Sequence, residues 1–249
     1  SFVNLVDSAF IQVPFDEAEA LAQHLTETAQ TKLDLSHMDV ELEAYFDYWT
    51  TAPVKNRYFG YKSWPPSEKG QLKISGYEMK ASSSAPITKQ VQETAMRLIG
   101  HGAEEEEVTE TLRQISLSVK NGDVPISHVV SSTRLTKDPH KYEKPTNGAR
   151  AAMYYNQHTK GEKWRQGDSV TWTYVKGVKD GTPDFYTLDS QDIPVKYVAF
   201  RDAKELDNFI IDWDKVLSTL VKAKLKRLYE SVGWDMAAAA GDVVPKTYW

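Results

Sequence analysis

The feature that most limits how this chain can fold is a linker of small residues, Ala81-Ser82-Ser83-Ser84-Ala85-Pro86, because the sequence periodicity changes across it. Before the linker, residues 57–64 and 72–79 are strand-like, and the segment from Pro65 to Gly70 has the composition of a turn, so we predict a β-hairpin. After the linker, apolar residues recur at helical spacing. The chain is therefore predicted to have an α+β fold, with a small sheet first and a mainly helical part second.

The sheet-containing part is also predicted to include one helix. An apolar run that begins near Phe2 and ends at Pro14 is predicted as a strand, and Asp16 after it is a residue type that caps helices. Apolar residues at helical spacing then continue to Ala29. Residues 38–50 are rich in aromatic side chains and are predicted as either a strand or an irregular extended segment.

The part after the linker alternates long helices with short extended segments. The predicted helices span residues 88–99, 104–119, 147–158 and 212–232. Extended segments are predicted at 129–135 and 169–175. Because 249 residues exceed the size at which a single core is expected, we predict two domains and a tail. The predicted domains are residues 1–81 and 86–235, and residues 236–249 are predicted to form a flexible C-terminal tail.

The composition argues against several classes of protein. The chain is 41% hydrophobic and 26% charged, as ordinary globular proteins are. No apolar run approaches the roughly 18–20 residues of a membrane span, and the first residues lack the pattern of a secretory signal. Zero cysteines exclude disulfides, thiol catalysis and the usual zinc ligands. We predict an intracellular, cytoplasmic protein that does not cross a membrane.

The charge of the chain is unevenly distributed, although its net value of −5 at first argues against nucleic acid. Residues 1–50 contain ten acidic residues and one basic residue, Lys32. Residues 134–165 reverse this balance, with eight basic and three acidic residues. A basic segment of this kind is predicted to contact phosphates. The alternative interpretation is a solvated surface of mixed charge.

Two cations and three aromatic residues are packed into the seven residues from Lys55 to Tyr61. On an extended segment, Lys55 and Arg57 would project to one face, and Asn56 and Tyr58 to the other. Such a face can touch successive phosphates of a duplex while the aromatic side chains hold the strand in a core. A charged edge strand is the alternative interpretation.

Five segments then follow one another in a recognisable order. They are Lys55-Asn56-Arg57-Tyr58, Ile74-Ser75-Gly76-Tyr77-Glu78-Met79, the run from Ser132 to Tyr142, the run from Gly161 to Val170, and a helix that ends at Gly233-Trp234. In this order they resemble the distal palm and the thumb of family B DNA polymerases. The resemblance spans residues 7–235. Over this length the chain is similar to the small C-terminal subunit of a split, archaeal-type family B polymerase.

Two positions depart from the pattern of that family. Asn147-Gly148 stands where the family has Pro-His before a thumb helix, and Gln166 stands where it has proline. Both departures concern individual contacts and leave the predicted fold unchanged.

The resemblance implies which residues contact primer–template DNA. From the palm these are Lys55, Arg57 and Tyr58, and from the thumb they are Arg134, Lys137, Lys141 and Arg150. The contacts from these residues are expected mainly at phosphates.

The resemblance also implies a reaction that needs two magnesium ions held by carboxylates. In the family these come from an upstream palm motif and from a Tyr-x-Asp-Thr-Asp-Ser hairpin. Asp7 aligns with the second aspartate of that hairpin and is our candidate catalytic and metal-binding residue, whereas Leu5 replaces the first. A second register places Ser1 directly after the missing motif, and Asp7 could equally be an acid at the edge of a strand. The Mg²⁺ site is incomplete in either register.

Three functions stay open from the sequence. In the first, the chain is a C-terminal polymerase subunit that grips DNA and completes the enzyme with a larger chain carrying the remaining palm, the fingers and the exonuclease. In the second, suggested by Leu5, it is a catalytically inactive DNA-binding module derived from a polymerase. In the third, it is a fragment of a longer polymerase. For the first we expect nucleotidyltransferase activity only after assembly, and association with the nucleoid.

The last two residues, Tyr248 and Trp249, resemble the aromatic pair that ends sliding-clamp peptides in this family. Asp242 and Pro245 stand where such peptides have glutamine and leucine. Clamp binding by Tyr248 and Trp249 is therefore one prediction for the tail, and a frayed terminus is the other.

Overall fold

The computed structural model describes residues 3–4, 9–179 and 196–235 of the chain. The chain divides into two compact units, Ser1–Gly76 and Tyr77–Trp249. The described residues form α-helices and small antiparallel sheets, so the predicted α+β fold is confirmed. The units divide N-terminal to the linker at 81–86, and the assignment of 1–81 and 86–235 to separate domains stays a prediction. Among the residues described, no helix is both long and apolar enough to span a membrane.

The first unit combines one long helix with two small sheets. A two-stranded antiparallel sheet pairs β1 (Val3–Asn4) with β2 (Ala9–Phe10), and helix α1 (Phe15–Lys32) follows it. A three-stranded antiparallel sheet is formed by β3 (Tyr45–Thr51), β4 (Tyr58–Trp64) and β5 (Leu72–Ser75), with β4 at its centre. The predicted helix and the predicted hairpin of β4 and β5 are both confirmed.

Three local predictions for this unit are wrong. Pro14 occupies the N-cap position of α1 and makes no side-chain hydrogen bond there, while Asp16 lies in the first turn, where its charge suits the helix dipole. The apolar run from Phe2 is not one strand, because β1 and β2 within it pair antiparallel to each other. The second strand of the hairpin ends at Ser75, because Gly76 adopts a left-handed φ of +73°.

Aromatic side chains form the core on one face of the three-stranded sheet. The rings of Phe10 and Trp49 stack with centroids 4.0 Å apart, and the Tyr58 ring lies 4.6 Å from Trp49. On the other face, Phe59 and Ile74 are buried and lie opposite each other in β4 and β5. The start of β4 is therefore covered on both faces, as a central strand requires.

The second unit combines a group of helices with a four-stranded antiparallel sheet. Its described helices are α2 (Pro86–Gly100), α3 (Glu105–Asn121), α4 (Asn147–His158), α5 (Trp213–Val216) and α6 (Ala223–Val232). Its described strands are β6 (Ser131–Arg134), β7 (Ser169–Val178), β8 (Tyr197–Ala199) and β9 (Phe209–Ile211), and β7 pairs with each of the other three. The helices and strands predicted after the linker are confirmed, α4 with the predicted bounds.

The core of this unit has two parts, one between α4 and the sheet and one among the helices. Tyr154 of α4 packs with Val175 of β7 and Val198 of β8, so this helix covers the sheet. Among the helices, Met96 of α2 and Leu112 of α3 have no exposed surface. The contacts of Tyr154 fix α4 against the sheet.

The last described helix is interrupted by a wider turn. Between α5 and α6, residues Leu217–Lys222 form a π-helical segment. Two buried side chains of α2 donate to carbonyl groups in and just after this segment: Thr88 Oγ1 to Leu220 O at 2.6 Å, and Gln92 Nε2 to Lys224 O of α6 at 3.1 Å. The helix predicted at 212–232 is confirmed in extent, but its apolar pattern did not predict the π-helical centre.

Candidate nucleic-acid interface

Two loops meet at the end of the second unit's sheet where β6 ends and β7 begins. Arg134 of β6 pairs with Ser169 of β7. Beyond this pair, Leu135 N donates to Asp168 O and Gly167 N donates to Leu135 O, both at 2.8 Å. These bonds join a first loop, residues 135–146, to a second loop, residues 159–168. We call Arg134 and the two loops together the basic edge, because they carry most of the cations between residues 134 and 165.

The hydroxyl group of Tyr142 holds the start of the first loop. Thr136 N donates to it at 2.7 Å and Lys137 N at 3.2 Å, and the Thr136 hydroxyl lies 3.2 Å away. The hydrogen bond with the Thr136 side chain, together with the two N–H donors, lowers the pKa of Tyr142 below its ordinary value of 10.0. The phenolic oxygen therefore acts as an acceptor that fixes the backbone from which Lys137 projects.

The carboxylate of Asp138 connects the two loops. Its Oδ1 accepts a hydrogen bond from Gln166 N at 3.2 Å, and its Oδ2 lies 3.2 Å from Lys141 Nζ. The Gln166 N–H, and then Lys141, lower the pKa of Asp138 below its ordinary value of 3.8. Because the ion pair with Lys141 is exposed, it adds little stability. The bond to Gln166 is the structurally useful one, since it ties the first loop to the second.

Arg201, which follows β8, makes several contacts with the second loop. Its Nε donates to Glu162 O at 3.2 Å and its Nη2 to Lys163 O at 3.3 Å. Its guanidinium carbon lies 3.8 Å from the centroid of the Trp164 ring, a cation–π contact. Ion-pair distances of 3.7 Å to Glu162 and 3.8 Å to Asp168 add to these contacts. One side chain thus restrains four residues of the loop.

Asn156 of α4 holds the same loop from the helix. Its Nδ2 donates to Trp164 O at 2.8 Å, and its Oδ1 accepts from Trp164 N at 2.7 Å. Lys163 Nζ donates to Asn156 O at 2.6 Å, so this ammonium group is engaged within the protein. Arg165, two residues further on, is exposed. The loop therefore uses one cation for its own structure and presents another to solvent.

The four cations predicted as DNA contacts in the second domain lie on or beside the basic edge. Arg134 ends β6, and Lys137 and Lys141 lie in the first loop; all three are exposed. Arg150 is exposed on α4, where its Nη1 donates to Tyr197 Oη at 3.5 Å. Since α4 packs against β6 and against the 3₁₀ turn Pro139–Lys141, the structure brings these cations into one region. Their contact with DNA stays a prediction.

The three residues predicted as contacts in the first domain lie where the chain turns from β3 into β4. Lys55 is exposed in the turn, and Asn56 adopts a left-handed φ of +58°. The predicted alternation of Lys55 and Arg57 on one strand face is wrong, because the strand begins only at Tyr58. Arg57 is half-buried and Tyr58 is buried in the aromatic core. The prediction that aromatic residues hold this strand is confirmed, and DNA contact by Lys55, Arg57 and Tyr58 stays a prediction.

The predicted catalytic and clamp-binding residues lie outside the described residues. This applies to Asp7 and Leu5, and to Tyr248 and Trp249 in the predicted tail. Within residues 3–4, 9–179 and 196–235, no three His, Cys, Asp or Glu side chains converge where a metal ion could bind. The donors in this part of the chain do not fit a two-magnesium centre, and we assign them no chemical step.

Sequence reasoning missed the residues that organise the basic edge. Tyr142 and Asp138 stand in the motif that carries the family resemblance, where they received no role. The spacing of Asp138 and Lys141 could have indicated a turn, but nothing in the sequence points from Arg201 to Trp164. Taken together, the geometry presents exposed ammonium and guanidinium groups on a restrained backbone. Such a surface can bind the phosphates of a nucleic acid.

Comparisons with known proteins identify relatives of this chain. A family model described as DNA polymerase family B matches residues 6–231. The DNA polymerase of Archaeoglobus fulgidus is 21% identical over 247 residues, which cover 95% of this chain and 30% of that protein. The family B DNA polymerase from the hyperthermophilic archaeon Pyrobaculum calidifontis shares the fold with a TM-score of 0.57 at 15% identity, covering 82% of this chain and 24% of that one. The chain thus spans less than a third of either relative. Because the family model matches most of its length, the chain belongs to DNA polymerase family B.

Proposed function

We propose that this chain is the C-terminal palm and thumb part of a family B DNA-directed DNA polymerase and that it grips primer–template duplex DNA. In this proposal residues 1–81 form the distal palm and residues 86–235 form the thumb. The basic edge carries the proposal, because its loops are joined to each other through Asp138 and Leu135 and present exposed cations at one place. Binding of a phosphate backbone requires such a local concentration of positive charge.

The contacts follow from the placement of the cations. Arg134, Lys137, Lys141 and Arg150 contact phosphates from the thumb, and Lys55 and Arg57 contact the duplex from the palm. Tyr58, the third predicted palm contact, acts by holding the strand next to these cations, since its ring is buried against Trp49.

A larger polymerase chain completes the enzyme in this proposal. It carries the remaining palm, the fingers, the exonuclease and most ligands of the two Mg²⁺ ions, with Asp7 as the ligand that this chain contributes. The partial coverage supports this, because the chain matches 30% of the length of the A. fulgidus polymerase. Nucleotidyl transfer then belongs to the assembled enzyme, which works on the DNA of the nucleoid. Clamp binding through Tyr248 and Trp249 is a subsidiary part of the proposal.

The proposed DNA binding by the basic edge is tested with two pairs of variants that lose the same number of positive charges. The affinity of the full chain for a labelled primer–template duplex is measured by fluorescence anisotropy at several salt concentrations. The affinity falls as salt rises, so the slope of log affinity against log salt is negative. Replacing Arg134 and Lys137 by alanine is expected to make this slope less steep by about 1.8, at about 0.9 per lost phosphate contact. Lys226 and Arg227, exposed on α6, are the matched control pair. Equal effects of the two pairs show that binding follows total charge and contradict the proposal.

Primer extension tests the assembly and separates it from the second candidate function. The larger chain is expressed with and without this chain, and extension of a labelled primer is followed. We expect extension by the mixture to exceed extension by the larger chain alone. Unchanged extension, with duplex binding retained, favours the inactive DNA-binding module that Leu5 suggests.

A further inference from the structure

We propose that Tyr142 is a positioning residue for the contact between Lys137 and a backbone phosphate of the duplex. The inference rests on the proposed function, in which the basic edge binds DNA. Tyr142 does not touch the phosphate itself. Its hydroxyl group restrains the backbone from which the Lys137 side chain reaches solvent.

The first argument is the geometry of the hydroxyl group. It accepts from two successive backbone N–H groups, Thr136 N at 2.7 Å and Lys137 N at 3.2 Å. Both donors belong to an exposed loop, where these N–H groups would otherwise bond to water. A single oxygen therefore closes the segment from residue 136 to residue 142 into a ring.

The second argument is that Lys137 is restrained on both sides as well as at its own N–H. On the N-terminal side, Leu135 N and Leu135 O both bond to the second loop at 2.8 Å. On the C-terminal side, the carboxylate of Asp138 accepts from Gln166 N at 3.2 Å. The Tyr142 hydroxyl fills the gap between these two ties. Without it, residues 136 and 137 are the unrestrained part of the loop.

The third argument concerns what binding requires of a lysine. An ammonium group on a long, flexible side chain loses conformational freedom when it contacts a phosphate. A backbone that is already fixed lowers that cost, because fewer degrees of freedom remain to be lost on binding. Lys137 is exposed, so its side chain is available for such a contact.

A double-mutant cycle tests the proposal. Tyr142→Phe keeps the ring and removes the acceptor, and Lys137→Ala removes the phosphate contact. Affinity for a labelled primer–template duplex is measured for the full chain, both single variants and the double variant. We expect Lys137→Ala and Tyr142→Phe each to weaken binding by about three- to tenfold. In the Lys137→Ala background, Tyr142→Phe is expected to change affinity by less than about twofold.

The outcomes separate this inference from the function on which it rests. If Lys137→Ala binds as the unaltered chain does, the Lys137 contact in the proposed function is wrong. If Lys137→Ala weakens binding but Tyr142→Phe does not, the proposed contact of Lys137 with DNA is supported and the positioning role of Tyr142 is overturned. If Tyr142→Phe weakens binding as much in the Lys137→Ala background as in the unaltered chain, the residue acts on something other than Lys137, and the inference is again overturned.

Two controls exclude a general loss of structure. Tyr229→Phe removes another hydroxyl group in the same unit, one that lies 3.2 Å from Thr109 Oγ1, and it is expected to leave duplex affinity unchanged. Amide hydrogen exchange at Thr136 and Lys137 reports the restraint directly. We expect exchange at these two amides to accelerate in Tyr142→Phe while the rest of the unit stays protected. Unchanged exchange at both amides overturns the inference.

Discussion

At the scale of single residues, close approaches between backbone and side chains decide positions that patterns leave open. Gly148 lies in the first turn of α4, where a Cβ atom would overlap the Thr133 hydroxyl group and lie 2.9 Å from Trp172 Nε1. Those two groups are themselves bonded, since Trp172 Nε1 donates to Thr133 Oγ1 at 2.9 Å. The helix that carries Arg150 can lie this close to the sheet because residue 148 has no side chain. Packing therefore explains the glycine at this position, where the resemblance implies a larger residue.

Substituting Gly148 by alanine tests this by the sign of its effect. Helix propensity alone favours alanine by up to about 1 kcal/mol, whereas the overlap with Thr133 is expected to lower the free energy of unfolding by about 1–3 kcal/mol. Urea unfolding of the variant measures the difference. Gly161→Ala is the control, because a Cβ atom there would be 3.4 Å from its nearest neighbour, Thr159 Oγ1. An alanine at 148 that stabilises the protein contradicts the packing argument.

Gln166 shows a second departure with a structural role. Its N–H donates to Asp138 Oδ1 at 3.2 Å, and a proline at this position would have no N–H to donate. The backbone N–H of Gln166 therefore supplies one of the bonds that join the two loops of the basic edge.

At the scale of elements, a polar network attaches the 3₁₀ turn Glu78–Lys80 to two helices. Gln92 of α2, which has no exposed surface, donates to Glu78 Oε2 at 2.8 Å and accepts from Met79 N at 3.1 Å. Lys224 Nζ of α6 lies 3.2 Å from Glu78 Oε1. These bonds explain why the second compact unit begins at Tyr77, before the small-residue linker that the sequence suggested as the boundary.

The network predicts a pH dependence of stability. Burial raises the pKa of Glu78, but hydrogen bonds, led by that from Gln92, together with Lys224 outweigh it and bring the pKa below the ordinary value of 4.5. A carboxyl group with a lowered folded-state pKa stabilises the fold above its unfolded-state pKa, and this contribution is lost as the pH falls through the folded-state value. We therefore expect Glu78→Gln to be less stable than the unaltered chain near neutral pH.

Urea unfolding between about pH 6 and pH 3 measures this contribution. The stability difference between the unaltered chain and Glu78→Gln is expected to shrink below pH 4.5. Glu43→Gln is the control, because Glu43 pairs with Lys73 at 3.7 Å while 72% of its side chain is exposed. A difference for Glu78→Gln that is constant over the whole range contradicts the network.

At the scale of the whole molecule, the chain is an acidic protein with a local basic surface. Its net charge of −5 gives a sequence pI near 5.7. The exposed face of α1 carries Glu17, Glu19 and Glu27, whereas the basic edge carries cations. A long-range field of negative sign opposes the approach of DNA, and salt screens that field. Local contacts at the basic edge act over shorter distances.

Neutralising the acids of α1 should separate the two effects. We expect the triple variant Glu17→Gln, Glu19→Gln and Glu27→Gln to bind duplex DNA about two- to fivefold more tightly at about 10 mM salt, where the screening length is about 30 Å. At about 0.15 M salt, where that length is about 8 Å, affinity should equal that of the unaltered chain. Anisotropy titrations at both concentrations measure this. A gain that persists at the higher concentration indicates that α1 lies in the interface itself.

Much of the fold could be predicted from the sequence, because periodicity reports burial directly. The bounds of α4 and the hairpin of β4 and β5 follow from apolar spacing and from the turn between the strands. Positions set by long-range backbone contacts could not be predicted in this way. The left-handed turn at Asn56 and the end of β5 at Gly76 depend on each other, since a Cβ atom at Gly76 would lie 2.5 Å from Asn56 O.

Some residues of the candidate site could be predicted from the sequence, and others could not. The exposed cations Arg134, Lys137 and Lys141 could be identified from local charge density, because charged side chains are usually exposed. The groups that restrain them could not, since the hydrogen bond from Gln166 N to Asp138 Oδ1 joins residues that are distant in the chain. The contact of Arg201 with Trp164 depends on the course of the strands between them. The number and sequence positions of the cations are known from the sequence, whereas the contacts that restrain the loops carrying them depend on tertiary structure.

The π-helical segment Leu217–Lys222 has a consequence for how this helix can vary among relatives. A wider turn accommodates one residue more than an α-helix of the same rise, so a single-residue deletion there can restore regular geometry without rotating α6. Leu225 and Leu228, which have no exposed surface, would keep their orientation toward the interior. We expect single-residue deletions within this helix to be tolerated at the segment and to destabilise the protein in the turns on either side of it.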